Sequence, residues 1–431
     1  SIGVYPMLPT IQTAWFTKCD LDAPGCEPNY EEAQKWAGIF DSIQNLCAFC
    51  VAPQLGRLSD AIGRKPLILL SSFFVWLPVL ALWMTNTNSP SVYYSTIVFC
   101  GVFGTSKATG YATWNAYIAD ISTTENRSLY FGYLGAMLGI SMVMTPLLNL
   151  INGSLGSDTE FLKVMVLIGI LNTLYVLLVI PESLSAARRN NFTMKKIKPQ
   201  EMFKLLKRSQ ILAWTSLVML LGVTPEMGVA EIALIYVNDV YSLKSEDAKR
   251  FNATYFAILG GAILFTQLIV VKIFDVCKVR YSSTIAISQM ANAVHMLVYA
   301  SLHFVPLWAV YLNTIPTCFV FLSAIGVNSL ITDRMGKGEY GFAMGCLSAV
   351  SGISGVIGPL MFSQLFAALG KRGEPYVPFL IGSAMALCGF FVTILPVRRI
   401  ELSPKRLVMF SHSGIYSRIE GDFESDESEY E

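Results

Sequence analysis

Residues 56–66 read GRLSDAIGRKP, and this short charged stretch decides the fold because of the sequence on either side of it. Two apolar runs flank it, at about 36–55 and 67–84, and each is long enough to cross a lipid bilayer as a helix. A chain that crosses a bilayer twice with so few residues between the crossings must turn at one membrane face. We therefore interpret 56–66 as a hairpin between two transmembrane spans.

The hairpin carries residues that suit a gate. Gly56 and Gly63 allow backbones to approach closely where helices end. Asp60 can cap a helix or pair with Arg64, and Lys65 adds a neighbouring base. We predict that these five residues form a gating latch. The alternative is a plain turn whose basic residues only fix its orientation in the membrane.

The composition places the whole chain in the membrane class. Of its 431 residues, 53% are hydrophobic and 14% are charged, and the mean hydropathy is +0.52. These values exclude a soluble globular protein with an ordinary polar surface and predict an all-α polytopic membrane protein. The net charge of +1 gives no reason to expect a nucleic-acid partner.

Further apolar runs define the rest of the architecture. They lie at about 92–117, 129–150, 161–180, 211–240, 253–271, 282–302, 305–331, 341–369 and 376–396. Residues 1–9 are interpreted as the outer end of an incomplete first span, so the prediction is six spans, a linker and six more spans. The expected domains are a first half at 1–183, a basic cytoplasmic linker at 184–209, a second half at 210–396 and an acidic cytoplasmic tail at 397–431.

The basic residues predict the orientation. Most of the 31 Lys and Arg residues fall on the side of the hairpin, which places that side and both termini in the cytoplasm. The sequons at Asn152 and Asn252 then lie on the outer side as glycosylation candidates. Cys19 and Cys26 share an outer polar loop, where they form either a disulfide, if the compartment is oxidising, or a reduced pair.

The second half repeats features of the first. Between its second and third spans, residues 272–280 keep an aspartate, Asp275, and a trailing base but lack the glycines of the hairpin. Asp120 precedes Gly132 and Asp333 precedes Gly345 by the same spacing in corresponding loops. Two repeated halves are typical of transporters that rock around a site near the middle of the membrane.

These motifs resemble a known family. The pattern G-x-L-S-D-x-x-G-R-K-P is similar to the signature loop of major facilitator superfamily transporters. Residues 116–122, AYIADIS, and residues 181–184, PESL, look like the corresponding loops of tetracycline/proton antiporters, and Pro225-Glu226-x-Gly228 resembles the eukaryotic hippocampus-abundant-transcript group. The resemblance implies a twelve-helix facilitator fold with alternating access. The arginine that the antiporters carry early in the fourth span is Gly101 here.

A polar stripe in the fourth span is one candidate for the transport pathway. A charge at the bilayer centre costs about 2.5–3.5 kcal/mol, so a buried charge should face a partner or a water-filled cavity. Lys107 lies in this span with Tyr111 and Asn115 nearby. We interpret Lys107 as a cation that binds an anionic or zwitterionic solute or a carboxylate. The alternative is a structural lysine that reaches the membrane face.

Glu226 is the preferred proton carrier. It follows Pro225, which frees a backbone carbonyl and favours a kink in the seventh span. A carboxyl group buried there can take up and release a proton near neutral pH. The alternative is a static partner for Lys107. Glu231 lies nearer the outer end of the span and is a weaker candidate.

Other residues of the spans are predicted to line the outer vestibule or to pack between helices. Asp41 and Gln44 share a face of the second span and are predicted to line the outer vestibule, although Asp41 can instead pair with Lys35. His295 and His303 are interpreted as packing or interface residues. The small residues of 348–358 should let the eleventh span pack closely on a neighbour.

The tail contains a candidate sorting signal. Tyr416 and Ile419 form a tyrosine-x-x-hydrophobic pattern of the kind that endocytic adaptors bind. This adds endosomal or lysosomal membranes to the plasma membrane and the Golgi as candidate locations.

The sequence therefore predicts a secondary active transporter of a small organic solute that is coupled to protons. The alternatives are a facilitative uniporter and a non-transporting receptor or trafficking partner with the same fold. The chain has no G-x-x-x-x-G-K-[ST] loop for ATP and no motif of a membrane enzyme. We expect no cofactor and no metal, and a monomer whose partners are the solute, protons, the lipid bilayer and a sorting adaptor.

Overall fold

The structure is a computed structural model. It describes residues 8–16, 30–102, 107–123, 125–155, 158–185, 209–241, 243, 245–335, 340–370, 372–403, 406–411 and 414–419. The linker predicted at 184–209, apart from its first two residues and its last, and the acidic residues 420–431 lie outside this part of the chain.

The first half contains eight helices in the described residues. They are α1 (Leu8–Phe16), α2 (Tyr30–Ile62), α3 (Arg64–Phe74), α4 (Leu77–Met84), α5 (Pro90–Val102), α6 (Lys107–Ile121), α7 (Arg127–Leu155) and α8 (Asp158–Leu178). Helix α2 has 33 residues and is therefore about 50 Å long, more than the hydrocarbon core of a bilayer requires.

The second half follows the same plan. Its helices are α9 (Gln210–Val240), α10 (Ser245–Phe265), α11 (Val271–Val276), α12 (Tyr281–Ala300), α13 (Trp308–Leu312), α14 (Thr314–Val320), α15 (Leu322–Arg334), α16 (Tyr340–Gly370), α17 (Val377–Val392) and α18 (Arg398–Leu402). Short π-helical segments, Thr266–Val270 and Thr393–Val397, join α10 to α11 and α17 to α18, and a 3-10 turn, Leu302–Phe304, follows α12.

Seven stretches of the described residues are long and apolar enough to cross a membrane. They are Arg64–Met84, Thr159–Leu178, Gln210–Ala230, Phe251–Val276, Trp308–Arg334, Tyr340–Gly370 and Val377–Leu402. The prediction of an all-α polytopic membrane fold is confirmed. In the tail, the strands β1 (Arg406–Ser411) and β2 (Gly414–Ile419) pair antiparallel, with Met409 opposite Tyr416, which the sequence analysis did not predict.

The hairpin is tighter than the predicted turn over 56–66. Helix α2 continues to Ile62, and α3 begins at Arg64. Gly63 alone breaks the helix, at φ 108°, a backbone conformation that favours glycine. The charged residues before Gly63 thus stand on a rigid helix and not on a loop.

We call the membrane face that carries residues 56–66 the hairpin side. There the two halves pack directly on each other, since a Cβ added to Gly345 of α16 would lie 2.6 Å from Ala52 O of α2, and one added to Gly352 would lie 2.9 Å from Asn45 O. The predicted close packing of the small residues at 348–358 is confirmed. Helices α7 and α10 cross in the same way, because a Cβ on Gly139 would lie 2.8 Å from Gly260 O.

The hydrophobic core follows this closure. One buried cluster contains residues of both halves, among them Ala116 and Phe131 of the first half and Leu330 and Met344 of the second. On the opposite side each half has a cluster of its own, around Trp76 and Phe161 in the first half and around Tyr236 in the second. The protein is therefore closed between its halves on the hairpin side.

Candidate functional site

The hairpin places a buried arginine between two carboxylates. Arg64 is fully buried. Its Nη1 donates to Asp60 Oδ1 at 2.6 Å and to Ser59 Oγ at 2.7 Å, and its Nε donates to Asp120 Oδ2 at 2.8 Å. Asp120 lies in the last turn of α6, and Ser183 from the end of the sixth span donates to the same Asp120 oxygen at 3.2 Å. Charge-assisted hydrogen bonds in a buried setting make this network rigid.

Asp60 also reaches across to the other half. Its Oδ1 accepts a hydrogen bond from Gly341 N at 3.0 Å, and its Oδ2 accepts one from Phe342 N at 2.8 Å. These amides belong to the first turn of α16, where backbone N–H groups have no partner within the helix and the helix dipole favours an anion. Asp60 therefore plays both predicted parts, because it pairs with Arg64 and caps a helix of the opposite half.

This cap depends on the two glycines that meet at it. A Cβ added to Gly56 would overlap Gly341 O, and a Cβ added to Gly341 would overlap Ser59 Oγ and the Arg64 guanidinium. Two cations stand nearby over aromatic rings of the second half. The Arg57 guanidinium lies 5.1 Å from the Phe342 ring centre, and that of Arg127 lies 6.0 Å from the Tyr340 ring centre.

The hairpin is held in place by a residue that sequence reasoning missed. Glu182, just beyond the sixth span, accepts hydrogen bonds from Arg64 N at 2.8 Å and from Lys65 N at 3.1 Å. Its carboxylate thus caps the first turn of α3. A Cβ at Gly63 would overlap Glu182 Oε2, so glycine is needed at this position for the cap as well as for the turn.

The second half builds the same cap. Glu401, just beyond the twelfth span, accepts from Tyr281 N at 2.8 Å and from Ser282 N at 3.1 Å, the first two amides of α12. Arg334 of α15 donates to Glu401 O at 2.7 Å. The internal repeat therefore includes a carboxylate cap in both halves, which the spacing of the aspartates did not indicate.

Inside the membrane, a carboxyl group and an imidazole lie close together, and the structure describes both side chains. Glu226 of α9 places its Oε2 at 3.8 Å from His295 Nε2 of α12, and its side chain is 23% exposed. His295 is buried, and its Nδ1 lies 2.6 Å from Thr317 Oγ1 and 3.2 Å from Asn313 Nδ2. Helix α9 runs through Pro225 without a break. The sequence alone favours a packing role for His295 and does not indicate this contact.

Several other predicted residues can be placed. Asn115 is buried in α6, and its Oδ1 has no partner among the described residues. Gln44 is half-buried, and its Cα would lie 3.6 Å from a Cβ added to Gly101 of the fourth span. Asn252 is half-buried in α10, and Tyr416 and Ile419 lie on β2. Predicted residues whose side chains or whole positions lie outside the described part are Asp41, Lys107, Tyr111, Glu231, Cys19, Cys26 and Asn152.

A comparison with known families decides the class. The model of the family described as the Major Facilitator Superfamily matches residues 28–359. The chain is a member of the Major Facilitator Superfamily. Members of this superfamily are solute transporters and not enzymes, and the apolar helices agree with an integral membrane protein. The resemblance inferred from the hairpin is confirmed.

Individual relatives agree with this membership. The human hippocampus abundant transcript 1 protein is 22% identical over 410 residues, which cover 88% of this chain and 81% of the relative. The class C tetracycline resistance protein of Escherichia coli is 26% identical over 355 residues, which cover 81% of this chain and 84% of the relative. The crystal structure of the human organic anion transporter MFSD10 (TETRAN) superposes with a TM-score of 0.75 at 17% identity and covers 91% of this chain and 95% of that one.

Proposed function

We propose that this superfamily member is a secondary active transporter that moves a small organic solute by alternating access and couples the movement to protons. The observation that carries the proposal is Glu226, a carboxyl group at membrane depth. Within the part of the chain that the structure describes, the basic group within ion-pair distance of it is a histidine and not a permanent cation. Such a carboxyl can exist in charged and neutral forms, as a proton carrier must.

Alternating access is supported by the closure on the hairpin side. Asp60 links the two halves there through hydrogen bonds from Gly341 N and Phe342 N, which must break before the halves separate, and Arg64 holds Asp60 from within the first half. With the hairpin side in the cytoplasm, as the basic residues predict, this closed arrangement is the outward-facing one. The solute would then enter between the halves from the side of Asp41 and Gln44 and move past Lys107, Tyr111 and Asn115.

The test uses purified protein in liposomes with a pH-sensitive dye inside. A panel of metabolites and drugs is first screened by thermal shift at two pH values, and each compound that stabilises the protein is then tested for solute-driven proton flux. We expect wild-type protein to couple the two movements. Glu226→Gln should lose the pH dependence of net uptake while it retains exchange of solute across the membrane.

A matched control tests the specificity of this result. Glu374 is an exposed carboxylate in the loop before the twelfth span, so Glu374→Gln removes the same charge away from the proposed pathway. This variant should behave as wild type. Uptake by Glu226→Gln with an unchanged pH profile would instead indicate a facilitative uniporter, and solute binding without flux would indicate a receptor.

A further inference from the structure

Glu226 belongs to a buried polar cluster in the second half, far from the latch. We call Glu226, Tyr255, His295, Tyr299, Asn313 and Thr317 the His295 cluster. Its members come from four successive spans, the seventh to the tenth. The ring centres of His295 and Tyr299 lie 5.0 Å apart, and the hydroxyl groups of Tyr255 and Tyr299 lie 2.9 Å apart.

The contacts of His295 Nδ1 bear on the tautomer of the ring. Asn313 Nδ2 lies 3.2 Å from both His295 O and His295 Nδ1. A backbone carbonyl only accepts, so the amide presents its NH₂ group there, and its second N–H can donate to Nδ1. Thr317 Oγ1 lies 2.6 Å from Nδ1 and 2.6 Å from Asn313 O, so its single proton is donated to one of these two atoms. A neutral ring that accepts at Nδ1 carries its proton on Nε2, the nitrogen that faces Glu226, and this tautomer is part of the proposal below.

The distance between the two groups shows that their hydrogen bond is not formed in this state. Glu226 Oε2 and His295 Nε2 are 3.8 Å apart, beyond the usual range for an N–H···O bond. Glu226 Oε2 is buried and has no hydrogen-bond partner among the described residues. An ionised carboxylate oxygen without a partner at membrane depth is costly, which favours the neutral form of Glu226 in this state.

The side-chain hydrogen bonds that join α12 to α9 among the described residues lie on one side of Glu226. Asn292 Nδ2 donates to Gly222 O at 3.1 Å, and Gln289 Nε2 donates to Val218 O at 3.4 Å. Both contacts lie before Pro225, whose missing N–H leaves the backbone without one helical hydrogen bond. A movement of about 1 Å beyond Pro225 would bring Nε2–H within the hydrogen-bond range of the carboxylate.

We propose that His295 is the positioning residue of the proton site, a donor whose Nε2–H stabilises the Glu226 carboxylate once its proton has left. This inference rests on the proposed function. Glu226 releases its proton to water, and the resulting carboxylate accepts the hydrogen bond from the neutral imidazole. In this proposal His295 keeps its proton on Nε2 throughout, with Nδ1 as an acceptor on the side of Asn313 and Thr317.

Among the described side chains no other charge faces the imidazole. The titratable groups around it are Glu226 from the seventh span, Tyr255 from the eighth and Tyr299 from its own helix. The tenth span contributes Asn313 and Thr317, and the twelfth contributes Phe379, whose ring lies 5.5 Å from that of Tyr299. The two tyrosines are neutral at physiological pH.

The test follows the proton itself and needs no solute. Infrared difference spectroscopy of the protein in liposomes records the C=O stretch of protonated carboxyl groups during a pH titration. His295→Phe removes the donor and keeps a ring of similar size, so the midpoint of the Glu226 band should rise by about one to two pH units, a ten- to hundred-fold change in proton affinity. His295→Gln supplies another N–H and should restore most of the shift.

Two further variants separate a specific role from a structural one. Thr317→Val keeps the fold of the tenth span and removes one support of the ring, so the midpoint should rise by less than in His295→Phe. His303→Phe changes the other histidine of this region, which packs 6.0 Å from the ring centre of Tyr236, and should leave the midpoint unchanged. Nitrogen NMR of labelled histidine reads the tautomer directly, and we expect the proton on Nε2.

The outcomes distinguish this inference from the proposed function. If the titrating band survives in Glu226→Gln, Glu226 is not the proton carrier and the proposed function loses its support. If the band disappears in Glu226→Gln but its midpoint is the same in wild type, His295→Phe and Thr317→Val, Glu226 remains the carrier and the role of His295 is overturned. A proton on Nδ1 in the NMR spectrum would also overturn it.

Discussion

The two hairpins of this protein, at 56–66 and 272–280, are both next to a helix capped by a carboxylate, but they differ in their contacts with the opposite half. In both halves a carboxylate near the end of the last span caps the helix that begins the third span of that half, Glu182 on α3 and Glu401 on α12. Asp60 of the first hairpin also caps α16 of the opposite half. Asp275, at the corresponding place in the second hairpin, accepts no side-chain hydrogen bond among the described residues. The caps therefore stabilise each half, whereas the link between the halves is asymmetric.

The largest difference should appear when each aspartate is neutralised. Asp60→Asn breaks a buried ion pair and weakens the cap on α16, which should destabilise the closed state by about 3–5 kcal/mol and abolish transport while folding and delivery are retained. Asp275→Asn should have little effect. Spin labels at Ile62 and Val276, which are exposed on the hairpin side of opposite halves, would report the opening as a longer distance. Normal transport by Asp60→Asn would remove the latch from the account.

A smaller difference should appear at the residue before each capped helix. Gly63 has φ 108° and lies against Glu182, whereas Arg280 before α12 has φ −65° and the left-handed residue of the second hairpin is Lys278, at φ 51°. Gly63→Ala should cost about 1–3 kcal/mol of stability because of backbone strain, in addition to the displaced cap. Arg280→Ala needs no backbone change and should cost less. Thermal unfolding in detergent measures both, and equal losses would show that Gly63→Ala causes no backbone strain beyond the effect of Arg280→Ala.

The smallest difference is expected between the caps themselves. Glu182→Ala and Glu401→Ala each remove two hydrogen bonds to a helix N-terminus, so each should lower the free energy of unfolding by about 0.5–2 kcal/mol. The two losses should be similar, since the hydrogen-bond distances in the two caps are nearly the same. A large loss for one variant alone would argue against a repeated device. The same thermal unfolding experiment provides the measurement.

The sequence predicted the elements of the latch but not its partner. The pairing of Asp60 with Arg64 and the helix end at Gly63 follow from local spacing, and both are found. The helix that Asp60 caps lies in the other half of the chain, and no local pattern identifies a contact between such distant residues. The sequence also did not predict that α2 continues to Ile62, because two glycines and several charged residues in a short stretch are typical of a loop.

The caps and the histidine were missed for a related reason. Glu182 directly follows Pro181 at the end of the sixth span, and Glu401 lies a few residues after Pro396 in the twelfth. A carboxylate shortly after a proline at the end of a span was therefore a signal that the sequence offered. His295 stands alone on an apolar helix, where the commonest role is packing. Its proximity to Glu226 depends on how α9 and α12 pack, which the periodicity of either helix does not specify. The interpretation of Lys107 as a solute-binding cation stays a prediction.

The most direct test of proton-coupled alternating access measures the distance between spin labels at Ile62 and Val276 as a function of pH. If Glu226 is the proton carrier, its unpartnered oxygen in the state closed on the hairpin side favours the neutral form, so that state should bind the proton more tightly, and lower pH should increase the population with the short distance. Glu226→Gln should hold the short distance at every pH. Distances that do not change with pH, or that change equally in Glu226→Gln, would contradict the account.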